Sequence, residues 1–258
     1  MKRILFIIFA LLAVSAHADN YAQREEVQAF IADMQTRHGL DAERLAALFQ
    51  NTRPLPAVLK AIAPPAAPGM RSWVAYRQRF IEPRRIKAGL DFWRQHQAAL
   101  ARAEAHYGIP AEIIVAIIGI ETFYGRHLGR FGSFAALATL AFDYPRRAEL
   151  FRRELEALLL LARDEGRAPD SYRGSFAGAI GLPQFLPSSI RAYAVDFDGN
   201  GRIDLTASPV DAIGSAANFL KEHGWENGGP IALKVGAGET AQQGGAIDGP
   251  GDQAEQDD

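Results

Sequence analysis

The stretch IIVAIIGIETFYGR, residues 113–126, decides the fold. Ile113 to Ile120 offer no polar face, so the spacing predicts a helix buried on every side. Pro110 sits where such a helix begins. The apolar run stops at Glu121, which the helix delivers at its C-terminal end. Desolvation there disfavours the charged carboxylate, and the partial negative charge of a helix C-terminus acts in the same direction. A carboxyl still protonated near neutral pH is what protonating a glycosidic oxygen requires. A structural glutamate bracing the next turn fits the same residues, and this stretch alone leaves both readings open.

Helical patterning continues outward on both sides. Residues 22–104 read as helices joined by short loops. Phe30, Met34, His38 and Leu40 follow helical spacing, with Gly39 as a stop. Pro54, Pro56, Pro64, Pro65 and Pro68 interrupt the pattern. A second run over about 72–105 has Trp73, Tyr76, Phe80, Ile86, Leu90 and Trp93 as its apolar positions, kinked or split at Pro83. Downstream, Leu150, Phe151, Leu155, Leu158, Leu159 and Ala162 share one face of a helix that Gly166 caps. A last helix over Pro209 to His223 turns Ile213, Ala216, Ala217 and Leu220 inward and ends at Gly224. The expected class is mainly α.

The 258 residues are 48% hydrophobic and 22% charged, the balance of a globular chain with a sizeable core. The first residues read as a signal peptide. Lys2 and Arg3 precede an apolar run from Ile4 to Val14, and Ala16-His17-Ala18 gives a small-x-small cleavage site. Cleavage would take two basic residues and no acid, moving the net charge below −2. That disfavours nucleic acid as a partner. Cysteine is absent, which excludes disulfides, thiolate metal sites, a cysteine nucleophile and a cysteine-borne lipid anchor on the processed chain. After Trp225 the composition shifts to Gly, Gln, Glu and Asp; Ile231 to Val235 read as one short strand and the rest as disordered.

Two further motifs carry chemistry. In SFAGAIGLPQFLPSS, residues 175–189, Gly178 and Gly181 allow tight turns and Pro183 and Pro187 stiffen the loop. Ser175 and Gln184 are polar groups in an otherwise apolar stretch, able to line a sugar cleft or, equally, to satisfy buried backbone in a helix connection. In DFDGNGRIDL, residues 196–205, Asp196, Asp198 and Asn200 fall at positions 1, 3 and 5 of an EF-hand loop. Gly201 is the turn glycine, the Arg202 carbonyl is position 7 and Asp204 is position 9. Hard oxygen ligands at this spacing suit calcium. Position 12 is Ala207 rather than the usual Glu, and Asp211 is close enough in sequence to complete the shell. No zinc-type histidine pair, phosphate loop or nucleophile elbow is present.

Taken in order, IVAIIGIETFYGRHLGRF (114–131), LATLAFDYPRRAELFRRELEALLLLAR (137–163), SFAGAIGLPQFLPSSIRAYAVDFDGNGRIDL (175–205) and SPVDAIGSAANFLKEHGW (208–225) resemble the lytic murein transglycosylase B family. The upstream YRQRFIEPRRIKAGLDFW (76–93) fits too, and the likeness extends over about 26–235. It implies a lysozyme-like helical fold with an EF-hand-like calcium site. It implies that Glu121 is the lone catalytic acid/base, that Ser175 and Gln184 line the glycan cleft, and that Asp196, Asp198, Asn200, the Arg202 carbonyl and Asp211 hold calcium, Asp211 in preference to Asp204.

The implied substrate is the glycan strand of peptidoglycan, cleaved between N-acetylmuramic acid and N-acetylglucosamine with a 1,6-anhydromuramic end as product. The expected place is the periplasm, with cell-wall machinery as the setting for protein partners. The expected division is a signal peptide over 1–18, an N-terminal helical region over 19–105, a lysozyme-like catalytic domain over 106–227, and a short strand with a disordered tail over 228–258. Family members usually continue past the H-G-W stretch into a small β-rich region and a final helix, where this chain has a Gly/Gln/Asp tail. That departure keeps a second expectation in play, a non-catalytic peptidoglycan-binding protein. Hydrolysis by water, as in an ordinary muramidase, is the third.

Overall fold

The first helix, α1 (Glu25–His38), sets the pattern for the others. Glu25 and Glu26 occupy its first turn, Arg37 and His38 its last, and Gly39 closes it with a left-handed φ of 64°. This computed structural model describes residues 20–64 and 73–232; the expected signal peptide and most of the C-terminal tail lie outside them. The expected strand at 231–235 is described only at Ile231 and Ala232, which carry no strand.

After α1 come α2 (Ala42–Gln50), α3 (Pro56–Ile62), α4 (Trp73–Phe80), α5 (Pro83–Gln95), α6 (Gln97–Tyr107) and α7 (Ala111–Thr122). A two-residue strand β1 (Phe131–Gly132) precedes α8 (Ser133–Asp143) and α9 (Ala148–Asp164). Strand β2 (Arg173–Gly174), α10 (Pro187–Tyr193) and α11 (Pro209–Glu222) complete the order. β1 and β2 pair antiparallel, Phe131 opposite Gly174 and Gly132 opposite Arg173. The described residues through Trp225 form one compact unit, and a separate one starts at Glu226.

Two apolar cores fill the first unit. One joins Val27, Phe30 and Met34 of α1 and Phe49 of α2 to Phe134, Leu137 and Leu140 of α8 and to Leu155 and Leu158 of α9. Edge-to-face rings, such as Phe30 against Phe49 at 6.1 Å, add to it. The other joins Phe92 of α5, Leu100 of α6, Ile114 and Ile118 of α7, and Ala212, Ile213 and Ala216 of α11. The segment 180–185 bridges them. Ile180 and Phe185 belong to the first core and Leu182 to the second.

Three details differ from the sequence expectation. α7 is not buried on every side: Ile114, Val115, Ile118 and Gly119 face inward, whereas Ala116 and Ile120 are exposed. Positions 113, 116, 117 and 120 form a stripe about two helical turns long that its neighbours α5, α6 and α11 leave exposed or half-buried. The helix enclosed on nearly all sides is α8, because α3, α9 and β1 surround it. The run over 72–105 breaks at His96 as well as at Pro83, and its inward residues are Ala88, Gly89 and Phe92 of α5 and Ala99, Leu100 and Ala103 of α6. Trp73, Tyr76, Ile86 and Leu90 stand exposed, Trp73 at 70%.

Candidate active site

α7 ends in an unusual turn. Phe123, Tyr124 and Gly125 follow one another with φ of 52°, 59° and 85°. Left-handed backbone costs a non-glycine residue roughly 1–2 kcal/mol, so packing must hold this turn. The Tyr124 hydroxyl sits against Gly89 of α5 and Gly119 of α7, where any Cβ would overlap it. The Arg85 guanidinium lies 4.8 Å from the Phe123 ring and donates to the Gly119 carbonyl. Arg126 covers Phe123 at 5.0 Å.

Glu121 projects from the last turn of α7, beside this bend. Its surface is open to solvent, and its carboxyl accepts no hydrogen bond from the described residues. Protein mass around it is nevertheless sufficient for desolvation to raise its pKa above the ordinary carboxylate value. An exposed group crowded on one side is what a carboxyl at the edge of a cleft looks like.

The loop carrying Ser175 and Gln184 is tied directly to that helix end. Thr122, wholly buried, donates through Oγ1 to the Leu182 carbonyl at 2.9 Å and accepts from the Gly125 N–H at 3.0 Å. Gly129, at φ 93°, packs so closely on the Gly174–Ser175 backbone that a Cβ would overlap it. Ser175 closes its own turn: its Oγ accepts from Ala179 N–H at 3.1 Å and Ala177 N–H at 3.3 Å, which leaves its proton to donate outward. Ile180 and Phe185 exchange backbone hydrogen bonds at 2.8 and 3.1 Å, so residues 181–184 form a tight protruding turn. Gln184 takes φ 52° at its end. Its Nε2 donates to Gly181 O at 2.9 Å and to Leu128 O at 3.5 Å, so the amide satisfies backbone of its own turn and of the segment that follows α7. The turn that holds Gln184 is thus bonded to the residue beside Glu121.

A buried acid fixes the far end of the loop. Glu154 of α9 is 4% exposed and accepts from Ser188 N–H at 3.0 Å and Ser188 Oγ at 2.6 Å. Its charge meets the N-terminus of α10, whose partial positive charge compensates its desolvation. Sequence reading named neither Glu154 nor Thr122. Thr122 had a detectable signal, since it lies four residues after the inward Ile118 and is the polar member of that row.

The acidic loop lies between α10 and α11. Asp196, Asp198 and Asp211 each bring a carboxylate oxygen within 4.8 Å of the other two. Asp211 is completely buried on α11, accepting from Phe197 and Asp198 N–H at 2.9 and 3.1 Å and from Asp204 N–H at 2.9 Å. Asp196 accepts from the N–H groups of Gly199, Asn200 and Gly201. Ser208, the N-cap of α11, donates to Asp198 at 2.9 Å. Asp204 turns its carboxylate to the N–H groups of Thr206 and Ala207 and stays out of the cluster. Asn200 Oδ1 accepts from Arg202 N–H at 2.9 Å, within the same loop. Three convergent carboxylates repel unless a cation joins them, and an all-oxygen donor set suits a hard divalent ion.

Known proteins share this architecture. Membrane-bound lytic murein transglycosylase B of Escherichia coli K12 is 46% identical over 223 residues, which is 83% of this chain and 61% of that protein. The chain therefore spans about three fifths of that relative's length. The crystal structure of soluble lytic transglycosylase SltB1 from Pseudomonas aeruginosa superposes with a TM-score of 0.77 at 51% identity, over 80% of this chain and 69% of that one. The E. coli lytic transglycosylase Slt35 in complex with calcium gives 0.73 at 47% identity, over 83% and 65%. The profile of the transglycosylase SLT domain matches residues 22–256. The mainly helical, lysozyme-like chain therefore belongs to the transglycosylase SLT domain family, with lytic murein transglycosylases of the B type among its relatives.

Proposed function

We propose that this chain is a lytic transglycosylase that cleaves the MurNAc–GlcNAc bond of peptidoglycan and leaves 1,6-anhydromuramic ends. The observation that carries this reading is Glu121: a carboxyl with raised pKa and no hydrogen-bond partner among the described residues, on a helix end bonded through Thr122 to the Ser175–Gln184 loop. Such a group is protonated over a wider pH range than an ordinary glutamate and can deliver its proton to a glycosidic oxygen. The leaving oxygen takes that proton as the C1–O4 bond breaks. Glu121, now a carboxylate, accepts the proton of the muramic C6 hydroxyl as that oxygen bonds to C1. One carboxyl serves both steps because the nucleophile is already part of the sugar, and positioning replaces the second acid of hydrolytic glycosidases. Ser175 keeps a hydroxyl proton for the glycan, and Gln184 shapes the turn beside it.

In this reading Asp196, Asp198 and Asp211, with Asn200 and the Arg202 carbonyl, bind calcium and fix the loop between α10 and α11. The acidic cluster and the calcium complex of the Slt35 relative support it. The Lys2–Ala18 leader would carry the chain to the envelope, where murein lies. Turbidity loss and pelleting with sacculi test the catalytic reading together. Wild-type protein clears the suspension, whereas Glu121→Gln pellets with sacculi and clears nothing. A Glu121→Gln protein that still clears them would refute the role of Glu121. A wild type that only pellets would establish the binding-protein reading.

A further inference from the structure

We propose that Thr122 is a positioning residue through which a cation in the acidic loop sets the geometry of Glu121 and of the Gln184 turn. The inference rests on the calcium reading above and extends it from a structural ion to one coupled to the chemistry. The physical link is Leu182, held from both sides. Its N–H donates to the Leu205 carbonyl at 2.8 Å, and its carbonyl accepts from Thr122 Oγ1 at 2.9 Å. Leu205 follows Asp204, whose N–H donates to the buried Asp211 carboxylate at 2.9 Å. Leu205 also packs on Gly181, where a Cβ would meet it at 2.6 Å.

Beyond Thr122 the next residue toward the helix is Glu121. Beyond Leu182 the turn leads to Gln184, whose N–H and Nε2 both donate to Gly181 O, at 3.2 and 2.9 Å. A cation drawing Asp211 together with Asp196 and Asp198 therefore acts on a segment two bonded steps from the acid.

Thr122 is not an ordinary helix threonine. A threonine near a helix end commonly returns its proton to the carbonyl four residues back. Here Ile118 O lies at 3.3 Å and Leu182 O at 2.9 Å, so the single proton favours the bond that crosses to the loop. The same oxygen accepts from Gly125 N–H at 3.0 Å and so restrains the strained Phe123–Tyr124 bend. Both bonds lie in a fully buried position, where losing either partner strands a polar group.

The test compares wild type, Thr122→Val and Thr122→Ser, each in calcium and in EGTA, by melting temperature, amide hydrogen exchange and turnover of soluble glycan strands. In wild type, calcium should raise the melting temperature, slow exchange at both Leu182 and Gly125, and raise kcat about tenfold with KM unchanged. Thr122→Val should keep the calcium-induced rise in melting temperature, but its kcat should be low and equal in the two conditions. Thr122→Ser should restore the calcium dependence. A Thr122→Val protein with the wild-type ratio of kcat in calcium to that in EGTA overturns the proposal. If that variant fails to fold, wild-type exchange decides: calcium protection that reaches Leu182 but not Gly125 overturns it. The exchange readout needs no turnover, so an inactive wild type would refute the enzymatic reading and leave the coupling measurable. A wild type whose melting temperature and Leu182 exchange ignore calcium would refute the metal reading and this proposal with it.

Discussion

The Glu121 carboxyl pays for its place with stability at neutral pH. Desolvation raises its pKa in the folded chain, so the folded state holds this proton more tightly than the unfolded one. The associated stability is complete below the unfolded value and is lost as pH rises through the higher folded value. Glu121→Gln should therefore melt higher than wild type at pH 7 and about equal to it at pH 4, as differential scanning calorimetry would read. Equal melting at both pH values would argue against a desolvated carboxyl. Its turnover should fall roughly a thousandfold. Asp211 has the opposite character. Asp211→Ala strands three N–H groups, those of Phe197, Asp198 and Asp204, and should cost about 1–3 kcal/mol even in EGTA, measured by urea denaturation. Asp196→Ala, at a position less enclosed than Asp211, should chiefly abolish the calcium-induced rise in melting temperature. The places of residues governed by sequence neighbours were legible in advance: Glu121 lies in the last turn of an apolar helix, and the spacing of Asp196 and Asp198 brings their carboxylates into one cluster. Thr122 and Glu154 were not, because their partners Leu182 and Ser188 lie 60 and 34 residues away.

At the scale of elements, the misjudged helices share a cause. α7 is apolar all round in sequence, yet Ala116 and Ile120 are exposed; periodicity reports what a helix could bury, and its neighbours decide what it does bury. α8, SFAALATLAF before Asp143, has no charged residue to mark an outer face and so shows no period to read, although it is the most enclosed helix described. Turns were more legible. Gly39 and Gly224 terminate α1 and α11 with positive φ, as their places after each pattern suggest. Gly129 illustrates a non-local demand. At φ 93° and against the Gly174 backbone, Gly129→Ala should cost about 1–3 kcal/mol and splay β1 from β2. Calorimetry would show the loss, and a variant as stable as wild type would mean that the two segments are not held as closely as described.

For the whole molecule, the two cores explain where the site lies. The 180–185 segment puts Ile180 and Phe185 in one and Leu182 in the other, so Gln184 and the end of α7 occupy their seam. Residues far apart in the chain meet there because two apolar clusters share one loop. The α4–α5 face is a different matter: Trp73, Tyr76, Ile86 and Leu90 are exposed and pack into neither core. Ile86→Ser with Leu90→Ser should change stability by less than about 0.5 kcal/mol per site and should lower self-association seen in light scattering. A cooperative loss of stability would mean that this face is packed in solution.

The central claim is that one carboxyl, placed at that seam, cleaves murein with the sugar's own hydroxyl as nucleophile. Digesting sacculi with the wild-type chain and identifying the released muropeptides by mass spectrometry tests it most directly. The account predicts 1,6-anhydromuramic ends that disappear with Glu121→Gln. Muropeptides with reducing ends, heavier by one water, would contradict it and make the chain a hydrolase.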